Sequence, residues 1–381
     1  MITPDAQPEN FCIGTIDGEV AYAFILQWAD SDYWPDAPKY EAAYLHKFCV
    51  RRKFSGLGMT KLVTEAIRAE CRKRGVRYIR LDTGLEEKAV RKIYLSAGYK
   101  IVDILDYPNG RSMALYELEV YCMEVTFVNP GVDHMVQRIM AFQSEDTSPF
   151  WSEPLYHFYP QLDKAYAVSL PFPERRNYIE RTMRTVYVEQ GNTINERVTL
   201  YSHHWAICKE QITAALSDAF DVDCASLFND IQCNVSLNPV EPRFLKERCY
   251  DTFYLNSERG AIGGGIHEII HFVWFYVWNR LFGDSYDEYE RPSLKWILSE
   301  MVVESVMKDE RLSSINPYFL RENGGCIYPY FFDLVVAGKP LLDTLETMYR
   351  SQSIEDFMKN SYAYCWKHEA EIREHIRRSE G

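Results

Sequence analysis

Between Phe11 and Val120 the pattern of apolar and polar positions alternates between strand-like and helix-like stretches. Val20–Trp28 and Tyr44–Val50 read as strands, Met59–Arg74 as an amphipathic helix and Tyr78–Thr83 as a short buried strand. Glu86–Ala97 follows as a second helix, stopped by Gly98, and Lys100–Leu105 and Met113–Val120 close the run as strands. That order predicts a small α/β domain. Past residue 120 the texture changes to aromatic-rich segments, with strand-like stretches at Ile231–Leu237 and Thr252–Leu255. Long helical patterns run over Ala261–Leu281 and Ser293–Lys308. The boundary falls near 120–130, around Asn129-Pro130-Gly131, which gives domains of 1–122 and 123–381.

Composition agrees with two packed domains. The 381 residues exceed what one hydrophobic core usually organises, and 47% hydrophobic with 14% aromatic residues is ample for two. A formal charge of −13 argues against a nucleic-acid partner, which normally requires a Lys/Arg surplus. The first residues lack the basic start and apolar run of a signal peptide, so a cytoplasmic protein is expected. The most apolar stretch, Ile266–Phe282, is interrupted by His267, Glu268, His271 and Arg280 and reads as a buried helix, not a membrane span. Ten cysteines without a CxxC pair are expected to be reduced thiols. Nothing in the sequence indicates an oligomeric state.

The first candidate chemistry lies between a strand and a helix, at Val50-Arg-Arg-Lys-Phe-Ser-Gly-Leu-Gly-Met59. Glycines at 56 and 58 let backbone approach a ligand, and the amides opening the next helix can cradle a pyrophosphate. Taken alone, a GxG at such a turn equally serves backbone geometry. The run Lys53-Phe-Ser-Gly56-Leu-Gly58, the strand Tyr78-Ile-Arg-Leu-Asp82-Thr83 and the segment Ala89-Val-Arg-Lys-Ile-Tyr94-Leu-Ser-Ala-Gly98-Tyr99 together resemble the GNAT superfamily of N-acetyltransferases. The resemblance implies an α/β GNAT-type mixed sheet with flanking helices and acetyl-CoA as acyl donor. It further implies that the backbone of Phe48, Cys49 and Val50 pairs with the pantetheine arm. Lys53 and the amides of Ser55, Gly56, Leu57, Gly58 and Met59 would hold the pyrophosphate, and Tyr94 would be the general acid for the departing thiolate. Two departures stand out: Glu87 replaces an Asn often found before the second helix, and the chain begins too late for the family's usual first strand and helix pair. Glu41 and His46 are both candidates for the general base.

The second candidate is Gly263-Gly-Gly-Ile-His267-Glu268-Ile-Ile-His271. Histidines at i and i+4 share one helix face and can reach one ion, while Glu268 is turned aside, where it can take a proton from an attacking water. Catalytic zinc generally holds three protein groups, and no third His follows at a metzincin spacing, so a downstream carboxylate is expected. Glu300 and Glu304 in Trp296-Ile-Leu-Ser-Glu300-Met-Val-Val-Glu304 share a helix face. This arrangement resembles gluzincin metallopeptidases and implies an α+β zincin-like domain in which Zn2+ is held by His267, His271 and Glu300, with Glu304 bracing a ligating His, or with the two glutamates in exchanged roles. The resemblance also implies strands before the active-site helix, over Ile231–Leu237 and Asp251–Leu255. Glycines 263–265 serve either close backbone approach or a flexible lead into the helix. Tyr328, His203 and His204 are candidate oxyanion stabilisers by residue type only.

The resulting expectation is a bifunctional enzyme, an N-acetyltransferase joined to a zinc-dependent peptidase or amidohydrolase, acting on a small-molecule or peptide amine with no membrane partner. The competing reading is an acetyltransferase whose C-terminal part is a metal-stabilised acceptor-binding module.

Overall fold

The structure, a computed structural model, describes residues 7–144, 147–316 and 325–380. The chain divides into two compact units, Met1–Cys122 and Met123–Gly381.

In the first unit six strands, β1 (Phe11–Ile16), β2 (Glu19–Gln27), β3 (Ala42–Val50), β4 (Tyr78–Gly84), β5 (Lys100–Asp106) and β6 (Ser112–Glu119), form one sheet in the order β1-β2-β3-β4-β6-β5. Helix α1 (Met59–Arg74) links β3 to β4, and α2 (Lys88–Ser96) links β4 to β5. Strand β1 was absent from the sequence reading. Its side chains alternate only between exposed and half-buried, so it lacks an apolar face. The turn that joins it to β2 is nonetheless a hairpin signal, since Asp17 and Gly18 take φ of 51° and 80°, the positive pair that a two-residue turn requires. Val63, Ile67 and Cys71 of α1 pack on Ile79 and Leu81 of β4 and Tyr116 of β6 to make this unit's core.

The junction of β3 and β4 positions the first candidate site. It is the sheet's parallel pairing, and it covers only Ala42–Tyr44 against Tyr78–Arg80. Beyond Tyr44 the two strands part, although β3 continues to Val50 and β4 to Gly84. On its other side β3 stays paired to β2, with a register shift opposite Lys47, whose φ of 51° marks a bulge. The splay leaves one edge of residues 45–50 open.

In the second unit β7 (Val125–Val128), β8 (Ile231–Ser236), β9 (Arg243–Phe244) and β10 (Cys249–Phe253) form a sheet in the order β7-β8-β10-β9. β7, β8 and β10 run parallel, and the two-residue β9 lies antiparallel along the edge of β10. The second expected strand thus occurs earlier than read, ending at Phe253 and not Leu255. The Glu241 carboxylate explains the stop: its Oε1 accepts from the Phe253 amide, from Thr252 Oγ1 at 3.0 Å and from Asn256 Nδ2 at 2.6 Å, folding the chain out of the sheet.

The helices of this unit are α3 (Val132–Ala141), α4 (Pro149–Phe158), α5 (Lys164–Ser169), α6 (Phe172–Phe220), α7 (Cys224–Leu227), α8 (Glu258–Phe282), α9 (Leu294–Met307), α10 (Glu310–Ser313), α11 (Leu341–Ser351), α12 (Ile354–Lys367) and α13 (Glu369–Glu380). The 49-residue α6 went unread in the sequence, yet its buried Tyr201, Trp205, Cys208, Ile212, Leu216 and Ala219 recur at intervals of three and four along one face. Helix α8 starts earlier than expected, with Ser257 Oγ accepting from the Gly260 amide at 3.0 Å. Glycines 263–265 therefore lie within the helix and form no flexible lead. Gly265 serves close approach, because a Cβ there would sit 2.6 Å from Tyr250 Oη on β10. No helix among the described residues is long and apolar enough to cross a membrane.

Candidate functional site

Helix α8 turns His267 and His271 to one side, with their Nε2 atoms 3.1 Å apart. Helix α9 brings Glu300 against them, Oε2 lying 3.5 Å from His267 Nε2 and Oε1 3.5 Å from His271 Nε2. Zinc–ligand bonds of about 2.0–2.1 Å in tetrahedral array place donor atoms about 3.3–3.4 Å apart, and the carboxylate of Glu300 spans the two imidazoles with one oxygen at 3.5 Å from each. Glu268 Oε1 is 3.8 Å from His267 Nε2. Burial pushes the Glu268 carboxyl up to about 7 against the pull of His267 and Arg243, whereas the His267 imidazole, although burial lowers it, is held well above its ordinary value by Glu268 and Glu300. Burial, then Arg243, lowers His271 to about 3, which keeps its imidazole neutral, as a metal ligand must be. Burial alone would raise Glu300, but His271 and Arg243 hold it well below the usual carboxylate range. Three carboxylates, Glu241, Glu268 and Glu300, thus face one Arg and two imidazoles. Among the described residues His267, Glu268 and His271 each offer a ligand atom, and these atoms lie within 4.8 Å of one another, close enough to share one ion.

Glu241, Arg243, His267, Glu268 and Glu300 line a cavity of about 550 Å³ together with Phe142, Trp151, Trp296 and Tyr328, while His271 is buried behind them. Of the three oxyanion candidates Tyr328 reaches this cavity, whereas His203 and His204 sit on α6 and do not line it. Among the described residues His271 Nδ1 has no hydrogen-bond partner, and Glu304 Oε1 lies 3.9 Å from Lys308 Nζ. One turn of α9 separates the two glutamates, and Glu300 lies against the histidines. Arg243 was missed entirely. It donates from Nη1 to Glu300 Oε1 at 2.8 Å, from an edge strand of two residues that is too short to show any period.

In the first unit the open edge of Phe48, Cys49 and Val50 leads into a turn at Arg52–Phe54 and then to Gly56 and Gly58, with φ of 81° and 74°. Both glycines are needed for that conformation and not for space, since a Cβ on either would meet nothing within 4 Å. The expected anion cradle is narrower than read. Ser55 and Leu57 spend their amides on Arg52 and Phe54 carbonyls at 3.2 and 3.4 Å. Gly56, Gly58 and Met59 keep amides with no backbone acceptor among the described residues, at the start of α1. Lys53 Nζ pairs with Glu19 at 2.8 Å on the surface.

Tyr94 is buried in α2, edge-on to Tyr99 at 5.6 Å. Burial, then the Asp82 carboxylate, raises its phenol to about 12, so it holds its proton at neutral pH. The two general-base candidates separate clearly. Glu41 is bound to Arg80 at 2.8 Å, while His46 lies two residues past Tyr44, where the pairing of β3 to β4 ends, 3.6 Å from Asp30 and 3.8 Å from Asp82.

No family model matches the chain, and no curated protein matches it. Among solved structures, about 30% of the chain, its N-terminal part, is similar to acetyltransferases. These include the ribosomal-protein-S18-alanine N-acetyltransferase from Escherichia coli, 21% identical over 30% of this chain and 72% of that one, with a TM-score of 0.24. Ard1 from Thermoplasma volcanium is 18% identical over 30% and 72% of the two chains, with a TM-score of 0.25. A GNAT family acetyltransferase from Elizabethkingia anophelis with acetyl-CoA bound is 18% identical over 29% and 74%, with a TM-score of 0.24.

Proposed function

We propose that the chain carries two activities: acetyl transfer from acetyl-CoA to an amine in the first unit, and metal-dependent hydrolysis of an amide in the second. The observation that carries the hydrolase reading is the buried cluster of His267, His271 and Glu300 with Glu268 beside it. The antiparallel edge strand β9 beside the strand that precedes α8 further supports a zincin-like reading. Bound by those three residues, zinc would polarise an amide carbonyl and acidify a water. Glu268 takes the proton of the attacking water and returns it to the leaving amine, a task suited to a carboxyl group held near 7. The aromatic wall of Phe142, Trp151, Trp296 and Tyr328 keeps bulk water from the reacting groups.

Metal content and mutagenesis test this together. The purified chain is expected to bind one zinc, and His267→Ala, His271→Ala or Glu300→Ala to lose most of it. Glu268→Gln should keep zinc while hydrolysis falls about 10²–10⁴-fold. Full activity of Glu268→Gln would favour the acceptor-binding module instead.

The acetyltransferase reading rests on a different observation, the splay of β3 from β4 beside the glycine-shaped start of α1. An extended thioester arm can pair with the open edge of Phe48–Val50 while the amides of Gly56, Gly58 and Met59 meet its diphosphate. Tyr94 supplies a proton to the departing thiolate. Its test is release of free thiol from acetyl-CoA in the presence of primary amines; Tyr94→Phe should still bind CoA but release thiol at least about tenfold more slowly. An unchanged rate would make Tyr94 a packing residue.

A further inference from the structure

Arg243 is the group that the proposed hydrolysis leaves unexplained. Its side chain is 9% exposed, and one nitrogen, Nη1, is bound to Glu300 Oε1. Nε and Nη2 are buried and without a hydrogen-bond partner among the described residues, although the residue lines the cavity. Leaving two charged N–H donors unsatisfied in a buried site is costly, so such donors call for a ligand. The pair left free is informative, because Nε–H and one Nη2–H point the same way along one edge of the planar guanidinium. Two parallel donors match the two oxygens of a carboxylate and exceed what a single carbonyl oxygen can use.

Position narrows the ligand further. The same guanidinium touches Glu300, whose oxygens lie 3.5 Å from both histidines, so a carboxylate on the free edge sits close to the bond being cut. From a scissile carbonyl carbon, three bonds through nitrogen and Cα reach the α-carboxylate carbon of the next residue, roughly 3–4 Å away from standard backbone dimensions. We propose that the free edge of Arg243 binds the α-carboxylate of the substrate, so that the hydrolase removes the C-terminal residue of a short peptide or N-acyl amino acid. This rests on the hydrolase reading. The atoms balance as simple hydrolysis: water adds to the carbonyl carbon, the C–N bond breaks, and the proton passes through Glu268 to the leaving amine of a free amino acid. The cavity of about 550 Å³ suits a substrate of a few residues, with the aromatic wall beside its side chains.

The test offers the zinc-loaded full chain a mixture of N-acetylated tripeptides with free C-termini and the same mixture C-amidated, with products read by mass spectrometry. Release of single C-terminal amino acids is expected from the first, with the amidated mixture cleaved at least about 10²-fold more slowly. Arg243→Lys keeps a charge for Glu300 but loses the paired edge, so zinc should remain at one per chain while the preference falls below about tenfold. Binding gives a second readout: calorimetry should show N-acetylphenylalanine binding more tightly than its amide, with and without zinc, and Arg243→Lys should erase the difference. Equal cleavage of the amidated peptides, or zinc loss from Arg243→Lys, would overturn the proposal, the latter by reducing Arg243 to a support for Glu300. If neither mixture is cleaved the hydrolase reading fails, and calorimetry still decides: no preference for the carboxylate sinks this inference too.

Discussion

Within the second unit, single residues divide by what their burial demands. Glu300 and Arg243 are both buried and bonded to each other, so removing either leaves a charge without its partner, which costs far more than the pair contributes. Glu268 is different, since its carboxyl is pushed up to about 7 and its Oε2 has no hydrogen-bond partner among the described residues. An amide there replaces a group that is about half protonated at neutral pH, so Glu268→Gln should fold with little change in melting temperature while hydrolysis is lost. In the first unit the same scale isolates Gly56. At φ of 81° a valine would be strained by about 1–3 kcal/mol however much space surrounds it. We expect Gly56→Val to weaken CoA binding at least about tenfold by reshaping the loop, and undiminished affinity in a direct titration would remove the loop from the binding site.

The elements carry the precision of the second site. Helix α8 can place its histidines only if it packs closely on β10, and Gly265 is where that approach is tightest. Tyr250 cannot swing aside, being a fully buried ring on β10. Gly265→Ala is therefore expected to destabilise the second unit by about 1–3 kcal/mol through overpacking and to weaken zinc retention. Its neighbour makes the control: a Cβ at Gly264 meets nothing within 4 Å, so Gly264→Ala should be neutral or gain up to about 1 kcal/mol of helix propensity. Equal melting temperatures for the two variants would show that α8 is not held at Gly265. The edge strand matters as an element too, because β9 aims Arg243 at Glu300 across 57 positions of sequence.

At the scale of the whole molecule, each unit has a core of its own, one built from residues such as Ile67, Leu81 and Tyr116 and the other from residues such as Trp205, Trp274 and Val303. A ligand stabilises the folded state it binds, by about 2.7 kcal/mol at a hundredfold excess over its dissociation constant. Acetyl-CoA should therefore slow amide exchange within 7–122 and zinc within 123–380, and protection appearing only in the opposite unit would refute the assignment of sites. Much of this plan was legible in local sequence. The i, i+4 histidines, the glycines that demand positive φ, and the strand and helix order of the first unit depend on neighbours within a turn or two, which the pattern of residues encodes directly. Strand β1 and helix α6 were legible as well, in Asp17-Gly18 and in the three-and-four spacing of α6, but were not read. The tertiary structure decided what local pattern could not. It put Glu300 against the histidines, engaged Glu41 with Arg80 while leaving His46 at the splay, and brought Arg243 to Glu300 from a strand of two residues. Each of those outcomes depends on contacts between elements far apart in the chain, and side-chain type and spacing carry no information about which distant partner will meet them.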